Sequence, residues 1–225
     1  MINFCCVFYG DKYKFDYVQV LYNMVKRHLT VPYKFICFTD HVKLHKLIDG
    51  KIEYRKFHYH NYEGWWNKLQ LFSPEARLEG VNFYLDLDVV ILENIDKFID
   101  YSKEDEFSIT RDFSYPEKGF NSSVMKWNNK TATDMIWNPF LKDKTKLQQL
   151  QGDQNVLSKL MISRTITKPY PDEWTFSYKW HDRIKPRFDK GTWDFTRLAG
   201  ASISVFHGQP NPHEAKQDWV KKNWC

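Results

Sequence analysis

Between Asn82 and Leu92 the chain reads Asn-Phe-Tyr-Leu-Asp-Leu-Asp-Val-Val-Ile-Leu. A run this apolar predicts a strand buried on both faces, as in the interior of a parallel sheet. Two carboxylates, Asp86 and Asp88, interrupt it. In an extended chain the side chains at i and i+2 share a face, so the two carboxylates converge. Burying like charges together is costly unless a cation or a shared proton compensates. A hard divalent cation, Mn²⁺ or Mg²⁺, meets that need and keeps open positions for phosphate oxygens. The alternative ends the strand at Leu85 and lets both carboxylates meet water in a turn.

The segments around this run set the fold class. Ile2 to Tyr9 is a short apolar run closed by Gly10-Asp11, which predicts a strand and a turn. Phe15, Val18, Leu21, Tyr22, Val25 and Leu29 recur at helical spacing, predicting a helix over 13–29 that stops before Pro32. Strands follow over Tyr33–Phe38 and Ile52–Phe57, so the N-terminal part reads as a βαβ unit with parallel strands. Further on, the pattern predicts helices over 65–72, 131–141 and 153–162, and strands over Phe107–Thr110 and Ile203–Phe206. The stretch Gly119-Phe120-Asn121-Ser122-Ser123 reads as a polar turn leading into a strand. No repeat or linker is evident. The expectation is a single α/β domain over 1–225, with a mostly parallel, mixed central sheet flanked by helices.

Composition excludes several classes. In 225 residues, charged residues make up 27% and hydrophobic ones 42%, which is a globular balance. No apolar run approaches the roughly 20 residues of a membrane span, and the first residues lack the basic n-region and the small-residue cleavage site of a signal peptide. A cytoplasmic protein is the expectation. The formal charge of +5 comes without any block of like charges, which argues against a nucleic-acid partner and suits a small phosphorylated ligand. Cys5, Cys6 and Cys37 lie in apolar runs and lack the paired spacing of a zinc site, so reduced, buried thiols are expected. Aromatic residues reach 17%, enough for either an aromatic core or a site that stacks rings.

Outside the acidic run, candidate site residues are few. His207 follows a strand and precedes Gly208, where backbone can come close to a ligand; as a neutral imidazole it is a candidate third metal ligand. Asp153 opens a predicted helix as an N-cap candidate, with Gln154 and Asn155 in the first turn. Gly10 sits where the first strand ends, at the sheet edge at which open α/β folds bind ligands.

Taken in order, these pieces resemble the GT-A glycosyltransferases, in particular the glycogenin- and galactosyltransferase-like group called family 8. The resemblance rests on Tyr9-Gly10-Asp11, Phe38-Thr39-Asp40, Asn67-Lys68-Leu69-Gln70-Leu71-Phe72, Tyr84-Leu85-Asp86-Leu87-Asp88, Phe120-Asn121-Ser122-Ser123-Val124, Gly152-Asp153-Gln154-Asn155 and Phe206-His207-Gly208. It implies a GT-A fold and a Mn²⁺- or Mg²⁺-dependent transfer of sugar from a nucleotide sugar, most often UDP-linked, to a glycan, lipid or protein acceptor, with retention. It further implies that Asp86, Asp88 and His207 hold the metal, and that Phe8, Tyr9 and Gly10 contact the nucleotide. Lys68, Asn121, Asp153 and Gln154 match positions facing the donor sugar or its phosphates, with Asp153 and Gln154 beside the anomeric carbon. The chain departs from the group in the loop after His207-Gly208. Members often carry a lysine there, whereas this loop reads Gln-Pro-Asn-Pro-His and its first lysine is Lys216. Phosphate neutralisation then falls to Lys216 or Lys68. Ser123 stands where the group often has glycine. The stretch 168–200 matches nothing in the group; it is expected to face the acceptor, with Trp174, Trp180 and Trp193 as candidate sugar platforms. Two rival classes remain at this stage: a sugar- or nucleotide-binding module that has lost activity, and a metal-dependent phosphodiesterase.

Overall fold

The computed structural model describes residues 1–41, 43, 50–179 and 200–225. The chain begins with β1 (Ile2–Phe8), α1 (Asp16–His28), β2 (Tyr33–Thr39) and β3 (Ile52–Lys56). A 3₁₀ segment, Gly64–Phe72, precedes β4 (Val81–Leu85) and β5 (Val89–Ile91). Next come α2 (Asp96–Asp100), β6 (Phe107–Arg111) and β7 (Phe120–Asn128). A helical stretch follows as α3 (Asn129–Ala132), a π-helical turn (Thr133–Trp137) and α4 (Asn138–Lys142), then α5 (Lys144–Leu147) and α6 (Asp153–Met161). β8 (Thr167–Pro169), β9 (Thr175–Ser177), β10 (Ile203–Val205) and α7 (Asp218–Asn223) complete the described elements.

A seven-stranded sheet runs in the order β3-β2-β1-β4-β7-β6-β8. β1 pairs in parallel with β2 and with β4, and β2 pairs in parallel with β3. β7 is antiparallel to both β4 and β6, while β8 is parallel to β6. The sheet is therefore mixed and mostly parallel. From β1 the chain winds outward through β2 and β3, then returns to add β4 on the other flank. That reversal of winding opens a crevice at the carboxyl ends of β1 and β4, the usual ligand position in an open α/β sheet. A second, three-stranded sheet has the order β5-β10-β9.

Two apolar cores follow from strand alternation. Phe4, Cys6 and Phe8 of β1 and Phe83 and Leu85 of β4 pack on one face, against Val18, Leu21 and Val25 of α1. Cys5 of β1 and Tyr84 of β4 point to the other, against Leu69, Leu71 and Phe72 of the 3₁₀ segment and the helices around Trp137. Cys5, Cys6 and Cys37 are free and buried.

Three expectations change. The run over 82–92 is not one strand: it breaks after Leu85, so β4 belongs to the large sheet and β5 to the small one. The segment over 65–72 is 3₁₀ rather than α-helical. Its Asn67 side-chain amide donates to the carbonyls of Tyr62 and Gly64, a local competitor for helical bonding. The polar turn at 121–123 is part of β7. Ile109 opposes Met125 but Thr110 opposes Asn121, so 122–124 bulge away from β6.

Candidate active site

The break between β4 and β5 is a turn made of the Asp86-Leu87-Asp88 segment, clamped from both sheets. The Asp86 N–H donates to the Ser123 carbonyl in β7, at 3.0 Å. The Asp88 carbonyl accepts from the Phe206 N–H just beyond β10, at 2.9 Å. The turn alternative was correct about the strand ending at Leu85, yet Asp88 does not meet water: it is 4% exposed. The second clamp brings His207, next in sequence after Phe206, to the same wall.

These residues line a cleft of about 540 Å³. Of the residues singled out from sequence, Tyr9, Lys68, Asn121, Asp153, Gln154, Asp86, Asp88, His207 and Gly208 all face it. Phe8 does not. It is buried, stacks on the His41 ring at 4.5 Å, and lines a neighbouring cavity of about 740 Å³ that shares Tyr13 with the cleft. Gly10 joins the two loops of that cavity: its N–H lies 3.2 Å from an Asp40 carboxylate oxygen, and its φ of 61° favours glycine.

Lys68 is the charge centre of the cleft floor. Its ammonium, buried beneath the surface, lies 2.8 Å from Asp86 Oδ1 and 3.3 Å from Asp153 Oδ2. It also donates to Ser122 Oγ at 3.0 Å, and Ser122 Oγ donates to Asp153 Oδ2 at 2.7 Å. Burial alone pulls the Lys68 pKa down; Asp153 and Asp86 more than offset that and hold the amine charged. Burial likewise pushes Asp86 up, but Lys68 and the Tyr84 hydroxyl, at 2.6 Å, hold it below the usual carboxylate range. Asp88 goes the other way. Burial first, then the neighbouring Asp86, raise its pKa, and its hydrogen bond comes from Tyr13 Oη at 2.8 Å.

Asp153 is not the N-cap of its helix. Gly152 occupies that position and Asp153 is the first helical residue. Its carboxylate turns inward to Lys68 and Ser122 instead of back to the helix N–H groups. Ser158 of α6 ties this helix to β7, accepting from the Phe120 N–H at 2.8 Å and donating to the Gln154 carbonyl at 2.7 Å. Gln154 thus sits in a first turn fixed from both sides.

The His207 ring stacks on Phe113 and lies 2.8 Å through Nε2 from Ser177 Oγ. Burial, and then the Lys179 charge, lower its pKa to about 4, so it is a neutral imidazole near neutral pH. Gly208 has a φ of 102°, and a Cβ there would meet Lys179 Nζ at 2.9 Å. Glycine at 208 therefore admits the lysine. Lys216, expected to supply charge here, is exposed and lies outside the cleft lining, since the capped 3₁₀ turn at Pro212–Glu214 carries the chain away. Lys179 and Lys12 supply the positive charge near Asp88 instead. Nothing in the sequence pattern around either lysine marked it. Trp174 is taken up by packing: its ring lies 5.1 Å from Phe98 and 5.3 Å from Tyr101. Trp180 and Trp193 lie outside the described residues.

Two carboxylates and a neutral imidazole along one cleft are suitable donors for a divalent ion of the Mn²⁺ or Mg²⁺ type. A carboxylate as buried as Asp88, with a raised pKa, is the chemical signature of a group short of a cation. The described residues hold no cluster of three His, Cys, Asp or Glu side chains already gathered at metal-binding separation. Asp86 is committed to Lys68, and His207 Nε2 to Ser177.

No family model matches the chain, and no curated protein matches it. Solved structures do. LgtC, crystallised as an active-site mutant in which glutamate replaces glutamine, aligns over 98% of this chain and 93% of its own, at 12% identity and a TM-score of 0.66. The glycosyltransferase GlyE of Streptococcus pneumoniae aligns over 98% of this chain and 61% of its own, at 15% identity and 0.68. The bifunctional glycosyltransferase WbbM aligns over the whole of this chain and 49% of its own, at 13% identity and 0.68. The chain thus has the α/β fold of these enzymes, including their mostly parallel central sheet. Among the described residues no helix is long and apolar enough to cross a membrane.

Two outcomes follow from the site's electrostatics. Lys68→Met leaves Asp86 and Asp153 buried without their cation. It should cost about 3–5 kcal/mol, a fall in Tm of roughly 10 °C, and the double variant Lys68→Met/Asp153→Asn should recover part of it in thermal melts. The His207 pKa, about 4 in the fold against an ordinary 6.5, is depressed, so its contribution to stability is complete above pH 6.5 and is lost as pH falls towards 4. In melts over that range with a chelator present, His207→Gln should flatten the decline in wild-type stability by about 2–3 kcal/mol.

Proposed function

We propose that this chain is a glycosyltransferase that takes a sugar from a nucleotide-diphosphate sugar, with UDP as the nucleotide and Mn²⁺ or Mg²⁺ as its metal. The observation that carries the reading is the clamped Asp86-Leu87-Asp88 turn. It sits at the reversal of winding in a sheet shared with LgtC, GlyE and WbbM, and lines a single cleft together with His207-Gly208. LgtC is a galactosyltransferase whose structure has been solved with donor and acceptor sugar analogues. The reading extends that kind of donor and acceptor to this chain.

Asp86, Asp88 and His207 would hold the metal, which supplies charge neutralisation for a leaving nucleotide diphosphate. The chain's own groups do the rest. Lys12 and Lys179, the latter admitted by Gly208, attract the diphosphate towards Asp88. Phe8, Phe15 and the His41 ring stacked on Phe8 line the adjoining cavity, which suits a flat base, while Tyr9 faces the main cleft. Lys68 bridges Asp86 and Asp153 and holds Asp86 ionised. Asp153 accepts from Lys68 and Ser122 on Oδ2, so it orients rather than abstracts a proton. Retention comes from the family resemblance, and the Gln154 amide presents its oxygen to the reacting sugar and stabilises positive charge at the anomeric carbon.

A second reading has a specific observation behind it. Because Asp86 and His207 Nε2 are both committed to protein partners, the cleft also suits a module that binds nucleotide sugar without turning it over. Transfer assays separate the two. With UDP-sugars and Mn²⁺, the enzyme releases UDP and the module does not.

Metal and UDP together should raise Tm by about 5–10 °C at saturating ligand, while UDP alone gives much less. Asp88→Asn should abolish the joint shift and leave the ligand-free protein at least as stable as wild type, because it removes a buried carboxylate whose ionisation the fold opposes. Equal shifts from UDP with and without metal would overturn the metal assignment. Gln154→Ala should lower kcat by about 10²-fold with the donor KM unchanged; a raised KM at constant kcat would reduce the residue to a binding role.

A further inference from the structure

Trp65 and Trp66 are neighbours in the 3₁₀ segment and have opposite fates. Trp66 is half-buried, its ring stacked parallel to Phe140, and every residue from Asn67 to Phe72 is buried. Trp65 is 58% exposed and lines the cleft. An indole left this exposed beside a fully buried run forgoes burial that would stabilise the fold. The exposure is also not a matter of loose chain: the segment is anchored by Asn67 to the carbonyls of Tyr62 and Gly64, and by the Trp66 N–H to the Glu63 carbonyl. The indole edge lies against Gly152, where an added Cβ would sit 3.4 Å from Nε1, an ordinary contact. Gly152 is two residues before Gln154. The rest of this rim is made of neutral amides, Gln151, Gln154 and Asn155, all of which face the cleft.

We infer that Trp65 is a platform for a pyranose ring and that the acceptor is a glycan. A rigid aromatic face with neutral amides at its edge suits the apolar C–H face and the hydroxyl rim of a sugar. It offers nothing to an anionic ligand, whose end of the cleft is the one with Lys12, Lys179 and Gly208. The inference rests on the glycosyltransferase reading for the word acceptor, and on Trp65 alone for the word sugar.

The test uses the full chain labelled with 5-fluorotryptophan. The Trp65 fluorine resonance is identified by its loss in Trp65→Phe. Lactose, cellobiose, maltose and methyl glycosides of hexoses and N-acetylhexosamines are then titrated at millimolar concentration, with octanoate as an apolar control. The expected result is that at least one sugar shifts the Trp65 resonance and octanoate does not. With the sugar that binds, Trp65→Ala should raise the acceptor KM by about tenfold, Trp65→Phe should restore most of the loss, and the donor KM should stay unchanged. The platform is overturned if no sugar in the panel moves the resonance, or if octanoate alone does. A melt with UDP and Mn²⁺ reads the underlying function separately. A nucleotide shift without a sugar response defeats the platform only, and a sugar response without a nucleotide shift defeats the glycosyltransferase reading only.

Discussion

The site depends on one arrangement of buried charge. A turn with two carboxylates joins β4, a central strand of the large sheet, to β5 of the small one, and both sheets hold it by backbone hydrogen bonds. Such a turn would repel itself if each carboxylate met the same surroundings. It does not, because Lys68 pairs with Asp86 and leaves Asp88 to a tyrosine hydroxyl. One carboxylate, Asp86, is held ionised by the fold, while burial and the neighbouring Asp86 oppose ionisation of the other. The strain of burying Asp88 is thus concentrated at a single side chain facing the cleft, which is where a functional site stores it.

Lys68 also explains why distant segments must fold together. It comes from the 3₁₀ segment before β4, Asp86 from the end of β4, Ser122 from the bulge in β7 and Asp153 from the start of α6. Each alone would be a costly buried polar group. Together they satisfy one another, and removing any member leaves the others exposed to the low dielectric around them. The β7 bulge is what aims Ser122 at the lysine, and the Ser158 bridge fixes α6 against the same strand.

Much of this was legible in the sequence, for reasons that differ by residue. The βαβ start was clear because β1 and β2 are short apolar runs and α1 carries a regular stripe. The acidic pair stood out because two carboxylates in an apolar run demand an explanation. What sequence could not give was the break at Asp86, since Val89–Ile91 is as strand-like as Val81–Leu85 and only the sheet order shows that they part. Asp153 looked like an N-cap because capping is a local preference, and a buried lysine 85 positions earlier in the chain overrides it. Lys179 was invisible because its role comes from the absence of a side chain at Gly208, which no pattern around residue 179 records. Trp65 was passed over for the opposite reason: it abuts a run of buried residues and reads as part of it.

The chemistry of the cleft is graded from one end to the other, and the gradient itself limits how a ligand can lie. Lys12 and Lys179 lie near Asp88, Trp65 lies against Gly152 beside the neutral amides, and the Lys68 ammonium is paired with Asp86 and Asp153. A ligand with a charged part and a neutral hydroxylated part gains from only one orientation. Reversing it would set phosphate against Gln151, Gln154 and Asn155 and leave Lys12 and Lys179 facing hydroxyls, losing the charge-assisted bonds without replacing them. Because Lys68 is already neutralised, it does not compete for the phosphate from the middle. Orientation is therefore set by where the charged and the neutral groups stand, and the Gln154 turn among the neutral ones is fixed by Ser158.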